Sequence, residues 1–447
     1  MSLNGMSATA GTVGLLVLLA GCDGASSASP PPAPTTTTQP ARSSAAEGIR
    51  IDLPVTRTVS VSDAVAATFA APPTTVKLTA SPGHYLAPRE VGETGDLVAV
   101  ESAKEPLDDS NRRIVRPSRV GLVRDGTFSD SATSASQTRG VLRGRMRQIT
   151  EATQSGQHLI WVETPSAELD FAEWSLRTTT VGPGRQVVRE LAHSPELKGE
   201  SRLVDVVGGT DPVVIDDWVY WATAVPTVTS PRPDHQADWE FDVQRTKLSV
   251  PSKVETVVRN AVMPTGLDHA LVYATFDPAT PNTYEIHRRD VGPGQADRIL
   301  VRGYRSGTSW ITNLAAHGRL VVWTAQSPGL AEEGWVPGET TPGQVFVLDT
   351  ASGKVTRIVT EDAAGANGSI AFTRRGIAWG NGSGNGDPTE YVLDLADLSL
   401  VELGQQQGAS EVMASPGNDV VFWSSNPDEA SATVVWHRAT LAGPTGP

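Results

Sequence analysis

Seven times between residues 95 and 426 the chain returns to one short pattern, an apolar run that closes on or near an aromatic ring. The runs are GDLVAVES (95–102), GQHLIWVET (156–164), DDWVYWATA (216–224), DHALVYATF (268–276), GRLVVWTAQ (318–326), RGIAWGNGS (375–383) and NDVVFWSSN (418–426). Aligned on the ring, the repeated position is Ala99, Trp161, Trp221, Tyr273, Trp323, Trp379 and Trp423, at spacings of 44 to 62 residues. A polar turn with Gly, Asp or Asn precedes each run; a loop and two more strand-like runs follow it. The fifth copy is the plainest: LVVWTA (320–325), QVFVLD (344–349), the turn Thr350-Ala351-Ser352-Gly353, then VTRIVT (355–360). Apolar and polar residues alternate with period two and β-branched residues dominate, which is a strand signature.

One twisted four-stranded sheet cannot bury both of its faces alone. Seven packed face to face around an axis can, and they leave few edges free. The expected fold is all-β: a seven-bladed β-propeller of four-stranded antiparallel blades over residues 49–447, with the repeated rings packed between blades. The last copy offers three strands, so an N-terminal strand must complete it. Residues 76–81 (VKLTAS) are the best candidate and 49–61 the alternative. Helix periodicity is weak; the local candidate is 62–70, with Ser62 as N-cap, and a strand reads nearly as well there. The 42 Gly and 32 Pro supply turns, and the single cysteine excludes a disulfide scaffold.

That cysteine ends a short apolar run. Residues 13–20 are apolar apart from Gly14, too short to span a bilayer but fitting a secretory segment. The run closes on Leu19-Ala20-Gly21-Cys22, which resembles the bacterial lipoprotein signal. The resemblance implies a signal peptide over 1–21, cleavage before Cys22, acylation there, and a home on the extracytoplasmic face of the cell membrane. An ordinary cleaved signal with a chance cysteine is the other reading. Residues 22–48 then form a Pro/Thr/Ser linker without large apolar side chains, expected to be a disordered tether.

The segment Ser415-Pro416-Gly417-Asn418-Asp419-Val420-Val421-Phe422-Trp423-Ser424, with the strand-turn-strand at 345–359, resembles the TolB-type, WD40-like propeller repeat. That family includes envelope scaffolds and non-catalytic domains of peptidases. The resemblance implies a binding or scaffold module for an envelope protein, peptide or glycan, and not an enzyme.

The residues themselves offer little catalytic signal. The eight histidines show no metal-ligand spacing, and there is no G-x-S-x-G elbow and no phosphate-binding loop. No catalytic residue, cofactor or metal is assigned. Long loops after the ring-bearing strands bring tryptophan together with acids: Asp170, Phe171 and Trp174; His235, Asp238 and Trp239; Glu332, Glu333 and Trp335. These form a candidate binding rim, although Trp174 and Trp239 also fit the start of a strand and Trp335 a pin for its own loop. The alternative function is a secreted glycan-active enzyme with paired carboxylates near the central funnel. A net charge of −14 argues against nucleic acid as a partner. One arginine-rich stretch, 112–147, reads as a solvated edge or, less favoured, as a contact for anionic polymers or lipid.

Overall fold

The computed structural model describes residues 50–442, apart from 93–94, 105–106, 109–112, 115, 140–141, 166–172, 182–185, 196–210, 230, 232–237, 251–252, 277–282, 293–295, 305–309, 327–329, 332–333, 336–342, 361–368, 382–388, 406–410 and 426–434. Within it the seven repeats become seven sheets, and the fold is a seven-bladed β-propeller with antiparallel four-stranded blades. Strands are lettered A to D from the axis outward. Blade 1 is His84–Val91, Leu97–Ala103, Arg119–Arg124 and Thr127–Thr133. Blade 2 is Gln148–Ser155, His158–Thr164, Ser175–Thr180 and Arg189–His193. Blade 3 is Val213–Ile215, Trp218–Pro226, Trp239–Lys247 and Glu255–Val258. Blade 4 is Ala261–Leu267, Ala270–Thr275, Thr283–Asp290 and Asp297–Tyr304. Blade 5 is Trp310–His317, Leu320–Gln326, Gln344–Asp349 and Lys354–Val359. Blade 6 is Ile370–Phe372, Gly376–Asn381, Thr389–Asp394 and Leu400–Gln405. Blade 7 is Val412–Ala414, Val420–Ser425 and Val435–Thr440, closed by Thr74–Val76 as strand D.

The repeated position lies in strand B of every blade and is at most 2% exposed in all seven. Each packs toward the preceding blade. Trp161 clusters with Val98, Val100 and Val120 of blade 1, and Ala99 with Met413, Phe422 and Trp436 of blade 7. Trp423 meets Ala378 and Val392 of blade 6. In blades 4 to 7 a ring opposite it on strand C stacks on it: Tyr273 on His287, Trp323 on Phe346, Trp379 on Tyr391 and Trp423 on His437, with centroids 5.1 to 5.6 Å apart. The strand register makes these pairs directly opposed. The core is thus a set of interblade seams, each sealed by one or two aromatic side chains.

The N-terminal segment does more than close the ring. Arg50–Ile51 adds a fifth, antiparallel strand to blade 4. Val55–Ser60 runs parallel to strand D of blade 5, and Val65–Ala66 does the same on blade 6. Phe69 bridges to Leu441 and stacks on Trp423, and Thr79 bridges to Thr127 of blade 1. The segment is a belt along the outer edges of consecutive blades. The closing strand Thr74–Val76 meets the expected 76–81 only at Val76, and the alternative, 49–61, is used as edge strands. The helix candidate at 62–70 is corrected: a single 3₁₀ turn, Val61–Asp63, is capped by Ser60 rather than Ser62, and strand Val65–Ala66 follows. Ring closure draws this stretch out along blade edges before a helix can extend.

Four of the clustered arginines are in ion pairs: Arg119 with Glu101, Arg124 with Asp96, Arg139 with Glu190 and Arg147 with Glu163. These four side chains are 1 to 61% exposed, and the carboxylates beside them offset their charge.

Candidate active site at the propeller axis

Charged side chains gather at the axis where strand A of blade 1 meets its neighbours. Arg89 sits at a register shift between Pro88 and Glu90, a bulge that takes it out of the ladder. Glu151 follows a second shift, after Ile149, on strand A of blade 2. Glu411 immediately precedes strand A of blade 7, and its backbone N–H donates to Ser424 Oγ (3.1 Å). Arg89 thus lies in a bulge, Glu151 is the first paired residue after one, and Glu411 lies just outside its strand. Glu90 fixes the frame: its carboxylate accepts Thr153 Oγ1–H (2.6 Å) and the Gln154 backbone N–H (2.8 Å), tying the inner strands of blades 1 and 2 together beside Arg89.

Relative to the repeated ring, Glu151 and Glu411 occupy the same row. Glu151 is paired with Val162, one residue past Trp161, and Glu411 is bonded to Ser424, one residue past Trp423. In blade 1 that row holds Ala87, opposite Val100, which leaves room between the two acids. The charges sense one another. Burial raises the proton affinity of the Glu151 carboxyl and Arg89 opposes it. Burial also raises that of Glu411, which Arg89 lowers and the Glu151 charge raises further. Arg89 Nε is buried and has no hydrogen-bond partner. Two acids of elevated proton affinity beside a guanidinium can hold one carboxyl protonated and the other ionised, the division of labour that acid–base chemistry requires. Among the described residues no group of His, Cys, Asp and Glu is placed to hold a metal ion.

The loops named from sequence look different. Trp174 is 5% exposed, meets Trp221 edge-on and donates its Nε1–H to Thr223 Oγ1 (3.2 Å). Trp239 is 6% exposed and begins strand C of blade 3, and Asp238 beside it is buried. These tryptophans are seam residues at strand starts, so their rings are not presented to solvent. Trp335 lies in a two-residue strand, Gly334–Trp335, paired with Leu330–Ala331. Asp170, Phe171, His235, Glu332 and Glu333 lie outside the described residues, as do Cys22 and the segments 1–21 and 22–48. Sequence reading missed Arg89, Glu151 and Glu411; the signal was the +1 row of the repeat, legible only once the register was known.

No family model and no curated protein matches the chain. Solved structures similar to it include a puromycin hydrolase, 15% identical over 86% of this chain and 58% of that one, with a TM-score of 0.49. A puromycin-hydrolyzing peptidase of Mycobacterium tuberculosis is 13% identical over 80% and 52%, with a TM-score of 0.45. An uncharacterised protein of Listeria monocytogenes is 8% identical over 84% and 100%, with a TM-score of 0.45. The chain thus spans 58% and 52% of the length of the two peptidases. The expectation of a non-catalytic binding or scaffold module, and with it the assignment as a non-enzyme, is corrected: the solved structures similar to the chain include peptidases. At these identities the likeness gives the fold alone.

Proposed function

We propose that the chain is a hydrolase of an extracytoplasmic glycan, held at the membrane by acylated Cys22 and its linker. The observation that carries this reading is the placement of Arg89, Glu151 and Glu411 on or beside the inner strands of three successive blades. Glycosidic bonds are cleaved by two carboxyl groups, one giving a proton to the leaving oxygen while the other, ionised, supports attack at the anomeric carbon. Arg89 favours the ionised form of both acids, against the burial that raises them. Sequence supports the address: Leu19-Ala20-Gly21-Cys22 and a tether rich in Pro and Thr. Acylation at Cys22 and kinship with the TolB-type repeat are part of the same proposal, resting on residues 19–22 and 415–424.

The test is hydrolysis by the purified chain of a panel of polysaccharides, beside a panel of peptides. Glycan cleavage that falls by about 10² to 10⁴-fold in both Glu151→Gln and Glu411→Gln, with the fold intact by circular dichroism, is the expected result. Peptide cleavage alone, or glycan cleavage that survives both substitutions, overturns the reading.

A further inference from the structure

Strand A is the innermost strand of each blade, so one of its edges has no strand beside it, and the backbone N–H groups along that edge need partners of another kind. In blade 2 the Gln154 amide finds its partner in the next blade. It donates to Glu90 Oε2 of blade 1 (2.8 Å), and the Thr153 hydroxyl donates to the same oxygen (2.6 Å). One carboxylate oxygen thus grips two successive residues of the neighbouring inner strand. Both bonds are charge-assisted, roughly twice as strong as neutral ones, and they join two sheets that no ladder joins. The blades also come close just beyond the grip: a Cβ on Gly92 would stand 2.8 Å from Gln154 Oε1.

The grip lies where it decides the geometry of the axis. On blade 1, Glu90 is the first paired residue after the bulge that holds Arg89. On blade 2, the ladder with strand B is regular from Glu151 to Ser155, so Glu151 and Thr153 project from the same face of their strand. The face that meets Glu90 therefore also carries Glu151, about 7 Å along the strand from Thr153. Arg89 and Glu151 are each within two residues of the same hydrogen bond.

We infer that Glu90 is a positioning residue for the axis: by gripping Thr153 and Gln154 it holds Glu151 in place against Arg89. The inference rests on the hydrolase reading for its purpose and on these hydrogen bonds for its geometry. Arg89 opposes the rise that burial imposes on the Glu151 carboxyl. A slackened strand that leaves Glu151 buried but farther from the guanidinium therefore makes it hold its proton to higher pH.

The experiment is a carboxyl ¹³C titration of the glutamate-labelled full chain, read at Glu151, with hydrogen exchange read at the Gln154 amide, in Glu90→Ala and Glu90→Gln. Both variants remove the charge, but the amide oxygen of Glu90→Gln still accepts both hydrogens, so the difference between them isolates the grip. The Glu151 midpoint is expected about half a pH unit higher in Glu90→Ala than in Glu90→Gln, and Gln154 exchange about tenfold faster. Thr153→Val removes one of the two bonds at nearly constant shape and shifts both readouts the same way by less, which keeps the test open if Glu90→Ala does not fold. Val61→Ala, a seam variant on blades 5 and 6, lowers stability and leaves both readouts unmoved. Equal Glu151 midpoints in Glu90→Ala and Glu90→Gln, a lower midpoint in Glu90→Ala, or an equal shift in Val61→Ala overturns the positioning role and leaves the hydrolase reading standing. A wild-type Glu151 that titrates in the ordinary glutamate range overturns both.

Discussion

Trp323 shows how much one residue carries. It is fully buried, stacks on Phe346 at 5.1 Å and donates its Nε1–H to Tyr284 Oη (3.1 Å) in the preceding blade. Tyr284 fits only because Gly303 faces it on strand D; a Cβ there would stand 2.0 Å from the tyrosine ring. Trp323→Ala should therefore cost about 3–5 kcal/mol in denaturant unfolding, and Gly303→Ala should destabilise although it adds one methyl group. Two acids respond to pH in opposite directions. Glu190 is held down to about 2, first by the His193 hydrogen bond and then by Arg139 and Arg177. Its contribution is full above the ordinary glutamate range and disappears as pH falls toward 2, so Glu190→Gln should flatten the acid limb of a stability–pH curve. Glu151 is shifted up, mainly by burial. Its ionised form costs stability once pH rises past the ordinary glutamate range, so Glu151→Gln should melt at or above the wild-type temperature at pH 7, with the gap closing near pH 4. Loss of activity without loss of stability separates a working acid from a structural one.

At the scale of elements, the ring-bearing B strands were fully legible. Each is a local alternation around one aromatic, and local patterns survive without knowledge of partners. The belt was not. Val65–Ala66 is two residues long with Val65 60% exposed, and four of the six residues of Val55–Ser60 are polar; both are strands only because strand D of a blade lies beside them. The axial acids were hidden for a similar reason, since a bulge such as that at Arg89 leaves no mark on hydrophobic periodicity. Conversely, Trp174 and Trp239 looked like rim residues because loop composition does not reveal which ring turns inward. The belt has a measurable role. Val59 and Val61 sit in the seam cluster with Val322, Val345 and Trp379. Val61→Ala should cost about 2 kcal/mol, and hydrogen exchange should then rise in strand D of blades 5 and 6 before blades 2 and 3, whose outer edges the belt does not reach.

For the whole molecule, ring closure is what brings chain-distant charges together. Glu411 and Glu151 are 260 positions apart, and ring closure, in which Thr74–Val76 pairs with Val435–Thr440, puts them on the two blades that flank blade 1. A propeller gathers one residue from each inner strand at its axis, and here three neighbouring blades contribute an arginine and two acids whose proton affinities are raised together. The most direct measurement is a carboxyl ¹³C NMR titration of glutamate-labelled protein. Two resonances titrating above the usual glutamate range of about 4 to 5, one lost in Glu151→Gln and the other displaced toward lower pH by the same substitution, is the predicted result. If neither Glu151 nor Glu411 titrates above that range, or if Glu151→Gln leaves the Glu411 resonance unmoved, the axis does not hold a coupled acid pair and the proposed hydrolase has no catalytic centre there.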